Sequence, residues 1–207
     1  QESHISDLLI FTVLDWQQSE GKILRAIKAK FKNSNVVVRS SSIAEDGWDQ
    51  SLAGAFYSVL NVDISRSVAL KKAVVDVISS YGKFINNDDS NFQSNQVLVQ
   101  AFVNNTVCSG VIFTRDLHTG TPYYVINYDS TSGRTDSVTS GDTNNLKTLV
   151  VYRERWHGNV DGNFEKLLIA CKEIESKVNC DSLDIEFAIS SDGSINIFQV
   201  RPMAVVN

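Results

Sequence analysis

The feature that most constrains this chain is DSLDIEFAISSDGSINIFQVRPM at residues 181–203, where two alternating runs flank Asp192-Gly193. Asp-Gly between alternating apolar residues is the strongest short-range hairpin signal, because both residues tolerate the positive φ of a type I′ turn. With those two residues as the whole loop, Ile185 pairs with Val200, Phe187 with Phe198 and Ile189 with Asn196 on an apolar face. The other face sets Glu186 opposite Gln199 and Asp184 opposite Arg201, with Ala188 beside Ile197. A slip of one residue would turn charged groups toward the core, so the chain needs a sheet with one buried and one polar face. Two carboxylates, an amide and a guanidinium converge on the polar face, and two readings of it stand. It is either a solvated surface with one cross-strand ion pair, worth under about 1 kcal/mol when exposed, or a site for Mg²⁺ and phosphate. In the second reading oxygen ligands take the cation and the arginine fork takes phosphate charge.

The remaining pattern groups strands instead of alternating them with helices. Helical periodicity covers residues 19–32 (Ile23, Leu24, Ile27, Phe31), 65–81 (Leu70, Val74, Val77, Ile78, Tyr81) and 162–178 (Phe164, Leu167, Leu168, Cys171, Ile174, Val178). β-rich runs occupy residues 10–14, 36–39, 55–62, 97–103, 109–114, 123–128, 146–152, 183–189 and 195–200. The expected class is therefore α+β with largely antiparallel sheets and flanking helices. The polar stretch 86–95 marks a boundary between lobes of roughly residues 1–94 and 95–207, and the polar stretch 129–145 reads as a long loop serving a site.

At 207 residues, with 43% hydrophobic and 21% charged residues, the chain suits one globular domain or two small lobes sharing a cleft. A net charge of −5 disfavours a non-specific nucleic-acid binder. No apolar run approaches the roughly 20 residues that cross a bilayer, and the opening residues do not read as a signal peptide. Cys108, Cys171 and Cys180 have no metal-ligand spacing. They read as reduced thiols of a cytoplasmic protein.

A second stretch, VVVRSSSIAEDGWDQSLAGAFYSVLNV at residues 36–62, puts Arg39 at the end of a strand that otherwise wants burial. It resembles the VRSS…AED…AG…LNV segment of phosphoenolpyruvate synthase and pyruvate phosphate dikinase. VLVQAFVNNTVCSGVIFTRDLHTG at residues 97–120 is similar to that family's SGV-x-FT-x-D-x-x-TG segment, and LDIEFAISSDGSINIFQVRPM to its D-I-E…Q-x-RP ending. Three motifs in the family's order imply its ATP-grasp nucleotide-binding domain, which rifampin phosphotransferase and glutamine kinase share. The resemblance implies that Arg39 reaches nucleotide phosphates, that Ser58 lies near the nucleotide, and that Gln100 lies on the segment linking the lobes, where backbone meets adenine. It implies Glu186 and Gln199 as Mg²⁺ ligands, Arg201 as a phosphate-contacting arginine that shares catalysis with Arg39, and Asp184 as the acidic partner at the nucleotide. Relatives space the two metal ligands one residue closer, which singles out the hairpin as the place for a longer loop or a bulge.

The implied protein is an ATP-dependent phosphotransferase that passes phosphate from ATP to a histidine on a separate domain and then to a small-molecule acceptor. Its partners would be ATP, Mg²⁺ and the phosphohistidine and acceptor domains of a longer multidomain enzyme, with no nucleic acid and no membrane. This chain would be a fragment of that enzyme, incomplete at its N-terminal side and inactive alone. The departures favour an alternative, an inactive nucleotide-binding or regulatory module. No glycine-rich segment with a phosphate-binding lysine is present, Lys22 being the nearest candidate, and residues 128–141 read YDSTSGRTDSVTSG where relatives carry Gly-Leu-Gly-Glu. His118 reads as a loop residue and not as a phosphoryl carrier.

Overall fold

The computed structural model describes residues 3–5, 7–32, 34–41, 57–82, 90–131 and 146–203. Most of the motif at residues 42–56 and the loop at 132–145 lie outside the described residues, so the readings made on them carry no structural account. The chain divides into two compact units, one of Asp7–Phe102 and one of Gln1–Ser6 with Val103–Asn207. The division thus falls after Phe102, and not near residue 94, because the strand at Gln96–Ala101 pairs within the first unit. The polar stretch read as a boundary instead contains a short helix, α3 (Ser90–Ser94), whose Phe92 packs with Val13 and Tyr81.

The unit at Asp7–Phe102 is a four-stranded antiparallel sheet with helices on one face. Its strands β2 (Leu8–Thr12), β3 (Val36–Ser41), β4 (Ser58–Val62) and β5 (Gln96–Ala101) lie in the order β2-β5-β3-β4. Helix α1 (Val13–Phe31) begins six residues earlier than the periodicity alone indicates. Thr12 and Asp15 explain the start. The Thr12 hydroxyl accepts from Asp15 N–H at 3.0 Å while Asp15 Oδ2 accepts from Thr12 N–H at 2.9 Å, a reciprocal cap. The backbone leaves helical geometry at Ser19 (φ −147°, ψ 37°), and the periodic segment follows that kink. Helices α1 and α2 (Ser67–Tyr81) bury Ile23, Ile27, Phe31, Leu70, Val74 and Val77 against Val36, Val38, Val97 and Val99.

The other unit is a six-stranded sheet with the order β1-β10-β9-β6-β7-β8. It comprises β1 (Ser3–Ile5), β6 (Thr106–Phe113), β7 (Tyr123–Asp129), β8 (Lys147–Tyr152), β9 (Leu183–Ser190) and β10 (Ile195–Pro202). Only β1, too short to show alternation in the sequence, pairs in parallel; the other neighbours are antiparallel. Helix α4 (Gly162–Val178) has Asp161 as its cap and ends at Asn179, which takes the left-handed conformation (φ 53°). It buries Leu167, Leu168, Cys171 and Ile174 against Ile112, Tyr124, Ile126, Ile185 and Phe187. Inside this layer Arg153 grips Glu175 with two hydrogen bonds, at 2.6 and 2.9 Å. Gly110 is indispensable here: a Cβ on it would lie 2.1 Å from the Asn127 carbonyl oxygen, and backbone cannot move aside as a side chain can.

Cys108 and Cys171 are buried free thiols, and burial pushes the Cys108 thiol up to about 12. They belong to the core of this layer. Among the described residues no helix is long and apolar enough to cross a membrane.

Candidate functional site

The hairpin of β9 and β10 brings four of the expected site residues together, by a route different from the one its turn sequence suggests. Gly193 has φ 80°, Asp192 is not among the residues of positive φ, and Gly193 N–H donates to Ser190 O at 2.8 Å. Ser190 N–H donates to Ser194 O at 3.0 Å, so Ser191, Asp192 and Gly193 form a three-residue loop with glycine in the left-handed position. The two-residue type I′ turn is thus corrected, and with it the pairs next to the turn. Ile189 stands opposite Ile195, not Asn196; Phe187 opposite Ile197, not Phe198; Ala188 opposite Asn196, not Ile197. An irregularity between Ile197 and Gln199 then adds one residue, Phe198, to β10. The two offsets cancel. Beyond the bulge Glu186 stands opposite Gln199, Ile185 opposite Val200 and Asp184 opposite Arg201.

The face away from α4 carries two rows across the sheet. One runs Gln199, Glu186, Val111, Asn127, Thr148; the next runs Arg201, Asp184, Phe113, Val125, Val150. In the second row Arg201 Nη2 donates to Asp184 Oδ2 at 3.2 Å, and both side chains are about one-fifth exposed (21% and 20%). Asp184 Oδ1 is buried with no hydrogen-bond partner among the described residues. Burial raises the Asp184 carboxyl above the usual carboxylate range, the neighbouring Glu186 charge adds to the rise, and Arg201 opposes both. An anion half out of water beside a second anion is the setting in which a cation or a ligand donor gains most.

The start of β9 is held by the FTRDLHTG segment, whose part in the structure is a turn. Thr114 Oγ1 donates to Asp181 O at 2.9 Å and accepts from Leu183 N–H at 2.7 Å, one residue before Asp184. Arg115 Nη2 pairs with Asp181 Oδ2 at 2.5 Å. Asp116 Oδ1 accepts from the N–H groups of His118 and Thr119, which closes the turn on itself. His118 is an exposed member of that turn.

In the unit at Asp7–Phe102, Arg39 stands opposite Ser58 on one side and Leu98 on the other, on the face away from α1 and α2. The same face holds Val37, Gln100, Leu8 and Ile10, the last two exposed. Gln100 is buried within β5, which is paired on both sides, to Leu8 and to Val37. Expected on the segment linking the two lobes, it lies instead within β5, two residues before Phe102, where its unit ends. The ladders occupy its backbone, and what it offers to that face is its side-chain amide.

One pair in the polar row was invisible to sequence reasoning. Asn127 and Thr148 lie 21 positions apart, and Thr148 Oγ1 donates to Asn127 Oδ1 at 2.7 Å. Asn127 is a polar residue between apolar neighbours in β7, a signal that gains meaning only once its strand partners are known.

The family model described as pyruvate phosphate dikinase, AMP/ATP-binding domain, matches residues 17–166. The chain belongs to that family. The match includes Arg39, Ser58 and Gln100 and ends before β9 and β10. No curated protein matches the chain in sequence. The chain is similar in structure to the D-alanine-D-alanine ligase from Coxiella burnetii, at 9% identity and a TM-score of 0.50, covering 97% of this chain and 43% of that one. It is similar also to the VanG D-Ala:D-Ser ligase from Enterococcus faecalis, at 11% identity and a TM-score of 0.51, covering 97% of this chain and 48% of that one. These likenesses establish an ATP-grasp fold. The chain spans under half the length of either structure.

Proposed function

We propose that this ATP-binding domain holds ATP with Mg²⁺ at the polar rows of its six-stranded sheet, as the nucleotide-binding part of a dikinase-like phosphotransferase. The observation that carries the reading is the register that sets Glu186 opposite Gln199 and Arg201 opposite Asp184 despite a loop and a bulge that each shift the strand by one. The donor set fits the cation. Mg²⁺ takes one or two carboxylates, keeps several waters and completes its shell with substrate phosphates. Glu186 and Gln199 supply a carboxylate and an amide oxygen on adjacent strands. Among the described residues no group of three or more His, Cys, Asp and Glu could hold a metal alone, so the set suits a cation shared with a substrate. When bound, Mg²⁺ would draw charge from the phosphate oxygens.

The protein's own groups do the rest. Arg201 engages Asp184 through Nη2 only, which leaves Nη1 and Nε without partners among the described residues as donors to phosphate oxygens. Asp184 fixes the guanidinium and keeps an acceptor, Oδ1, for a ligand hydroxyl or water. The family resemblance gives Arg39, with Ser58 opposite, a role toward nucleotide phosphates, and Gln100 contributes a side-chain amide to the same face of its own sheet. On the family resemblance, the phosphoryl group passes to a histidine of a separate domain and then to a small-molecule acceptor, in a cytoplasmic multidomain enzyme. The isolated chain accordingly shows no turnover. Calorimetry with ATP, with and without Mg²⁺, tests the reading. Heat that depends on Mg²⁺ supports it, and no heat at millimolar nucleotide with folded protein overturns it. The second reading, an inactive nucleotide-binding module, is favoured by YDSTSGRTDSVTSG in place of the family's glycine element. It predicts the same binding and no phosphoryl transfer even when the partner domains are supplied.

A further inference from the structure

We propose that Asn127 is a further nucleotide-positioning residue, its side-chain amide donating to an acceptor oxygen of the bound nucleotide; this rests on the ATP reading above. Glu186 lies in the same cross-strand row as Asn127. Its cross-strand neighbour in β6 is Val111, whose neighbour in β7 is Asn127, whose neighbour in β8 is Thr148. Directly opposed residues share a sheet face, so Asn127 lies on the face that carries Glu186 and Gln199. Strands spaced by about 4.8 Å put it roughly 10 Å from Glu186 along the row, within the span of one extended nucleotide. Val111, between them, is apolar and buried, a floor that competes for no hydrogen bond.

Asn127 is oriented. Thr148 Oγ1 donates to its Oδ1 at 2.7 Å, which fixes the amide plane and turns Nδ2 away from Thr148. Nδ2 then has no partner among the described residues and is open to solvent, since the bond that orients the amide is itself exposed. An amide donor held in one orientation on the solvent side of the row is placed to donate to a ligand that lies over that row. Its backbone is held as well, since Gly110 admits the Asn127 carbonyl to a place that any Cβ would occupy, 2.1 Å away. The glycine of the SGV segment thereby gains a purpose: it lets β7 approach so that Asn127 sits in the row.

The acceptor is an oxygen of the phosphate chain or a ribose hydroxyl, and two ligands separate these. Binding of Mg-ATP and of Mg-tripolyphosphate is measured by calorimetry on the full chain and on Asn127→Asp, Asn127→Ala, Thr148→Val and the Asn127→Ala/Thr148→Val double variant, each with its melting temperature. We expect Asn127→Asp to weaken Mg-ATP at least tenfold, because it keeps the shape and replaces the donor with a negative charge. Thr148→Val should weaken it two- to fivefold by freeing the amide, and the double variant should bind no worse than Asn127→Ala. Parallel weakening of tripolyphosphate assigns the contact to the phosphate chain, and unchanged tripolyphosphate assigns it to the ribose; both support the proposal. Mg-ATP affinity of folded Asn127→Asp within twofold of an unmodified chain that binds normally overturns it. Should Asn127→Asp fail to fold, Thr148→Val at a surface position decides in its place, and unchanged affinity there overturns the proposal. An unmodified chain that does not bind Mg-ATP removes the ATP reading and this inference together, so the two failures are distinguishable.

Discussion

The two sheets solve one structural problem in the same way and differ in what the face away from their helices carries. Each has helices over one face and the expected site residues on the other. In the unit at Asp7–Phe102 the face away from the helices sets exposed Leu8 and Ile10, with Val37, Leu98, Ser58 and the buried Gln100, around Arg39. In the six-stranded sheet the corresponding face carries Asp184, Glu186, Gln199, Arg201 and Asn127 in adjacent rows. A largely apolar face with a cation suits a flat or hydrophobic group. A dense set of oxygen and nitrogen groups suits a hydrated cation and several phosphate oxygens. The interiors differ in parallel: the buried polar residues described in the first unit, among them Ser80, Asn95 and Gln100, are uncharged, whereas the second packs a paired guanidinium and carboxylate beneath its sheet.

The largest expected effect separates those interiors. Glu175→Ala removes the partner of a half-buried Arg153 and should cost about 3–5 kcal/mol in urea unfolding. The exposed pair of Glu20 and Lys71 in the first unit should give under about 1 kcal/mol for Glu20→Ala. Equal losses would erase the distinction. Next, Arg39→Ala should weaken Mg-ATP roughly ten- to a hundredfold, the scale of one or two hydrogen bonds to a charged group, at about 1.5–3 kcal/mol in all. The Mg²⁺ dependence should survive, since the proposed metal ligands, Glu186 and Gln199, belong to the six-stranded sheet; its loss would break the division of labour.

A smaller effect concerns the hairpin. Gly193→Ala places a Cβ at φ 80° and 3.1 Å from Lys166 Nζ, a flexible group, so the cost is mainly backbone strain of roughly 1–2 kcal/mol. A stability change near zero would contradict the three-residue loop. The smallest effect is Asp184→Asn. Burial raises the folded-state carboxyl above its usual range, so the native residue favours folding below the unfolded-state value and loses that contribution as pH rises through the raised one. The amide variant should therefore melt above the native chain at neutral pH, and the gap should close as the solution is made acidic. A gap that widens in acid would reverse the sign of the argument.

What could be read from the sequence follows this comparison. α4 was legible to the residue because its stripe, its Asp161 cap and Asn179 all coincide. The start of α1 was carried by the Thr12–Asp15 cap, a local signal outweighed by the periodic stripe that follows the kink at Ser19. The site pairs in the hairpin match the sequence reading only because the three-residue loop and the bulge at Phe198 shift the register by equal and opposite amounts. The loop was not legible, since Asp-Gly suits both a two-residue turn and the last two positions of a three-residue one. Nor does anything in INIFQVRP mark Phe198 as the extra residue, because a bulge is decided by the strand opposite. Asn127 and Gln100 were misjudged or missed for the same reason: their surroundings are made by strands distant in sequence.

The central claim is that the polar rows around Glu186 and Gln199 form a Mg²⁺-nucleotide site. Its most direct test is ATP calorimetry with and without Mg²⁺ on the native chain and on Glu186→Ala, alongside thermal unfolding of both. The account predicts that Mg²⁺ strengthens ATP binding to the native chain, and that Glu186→Ala abolishes this enhancement while its melting temperature stays within a few degrees. A variant that unfolds, yet whose remaining folded molecules bind ATP with the same Mg²⁺-dependent affinity, would show that Glu186 supports the sheet and does not hold the metal.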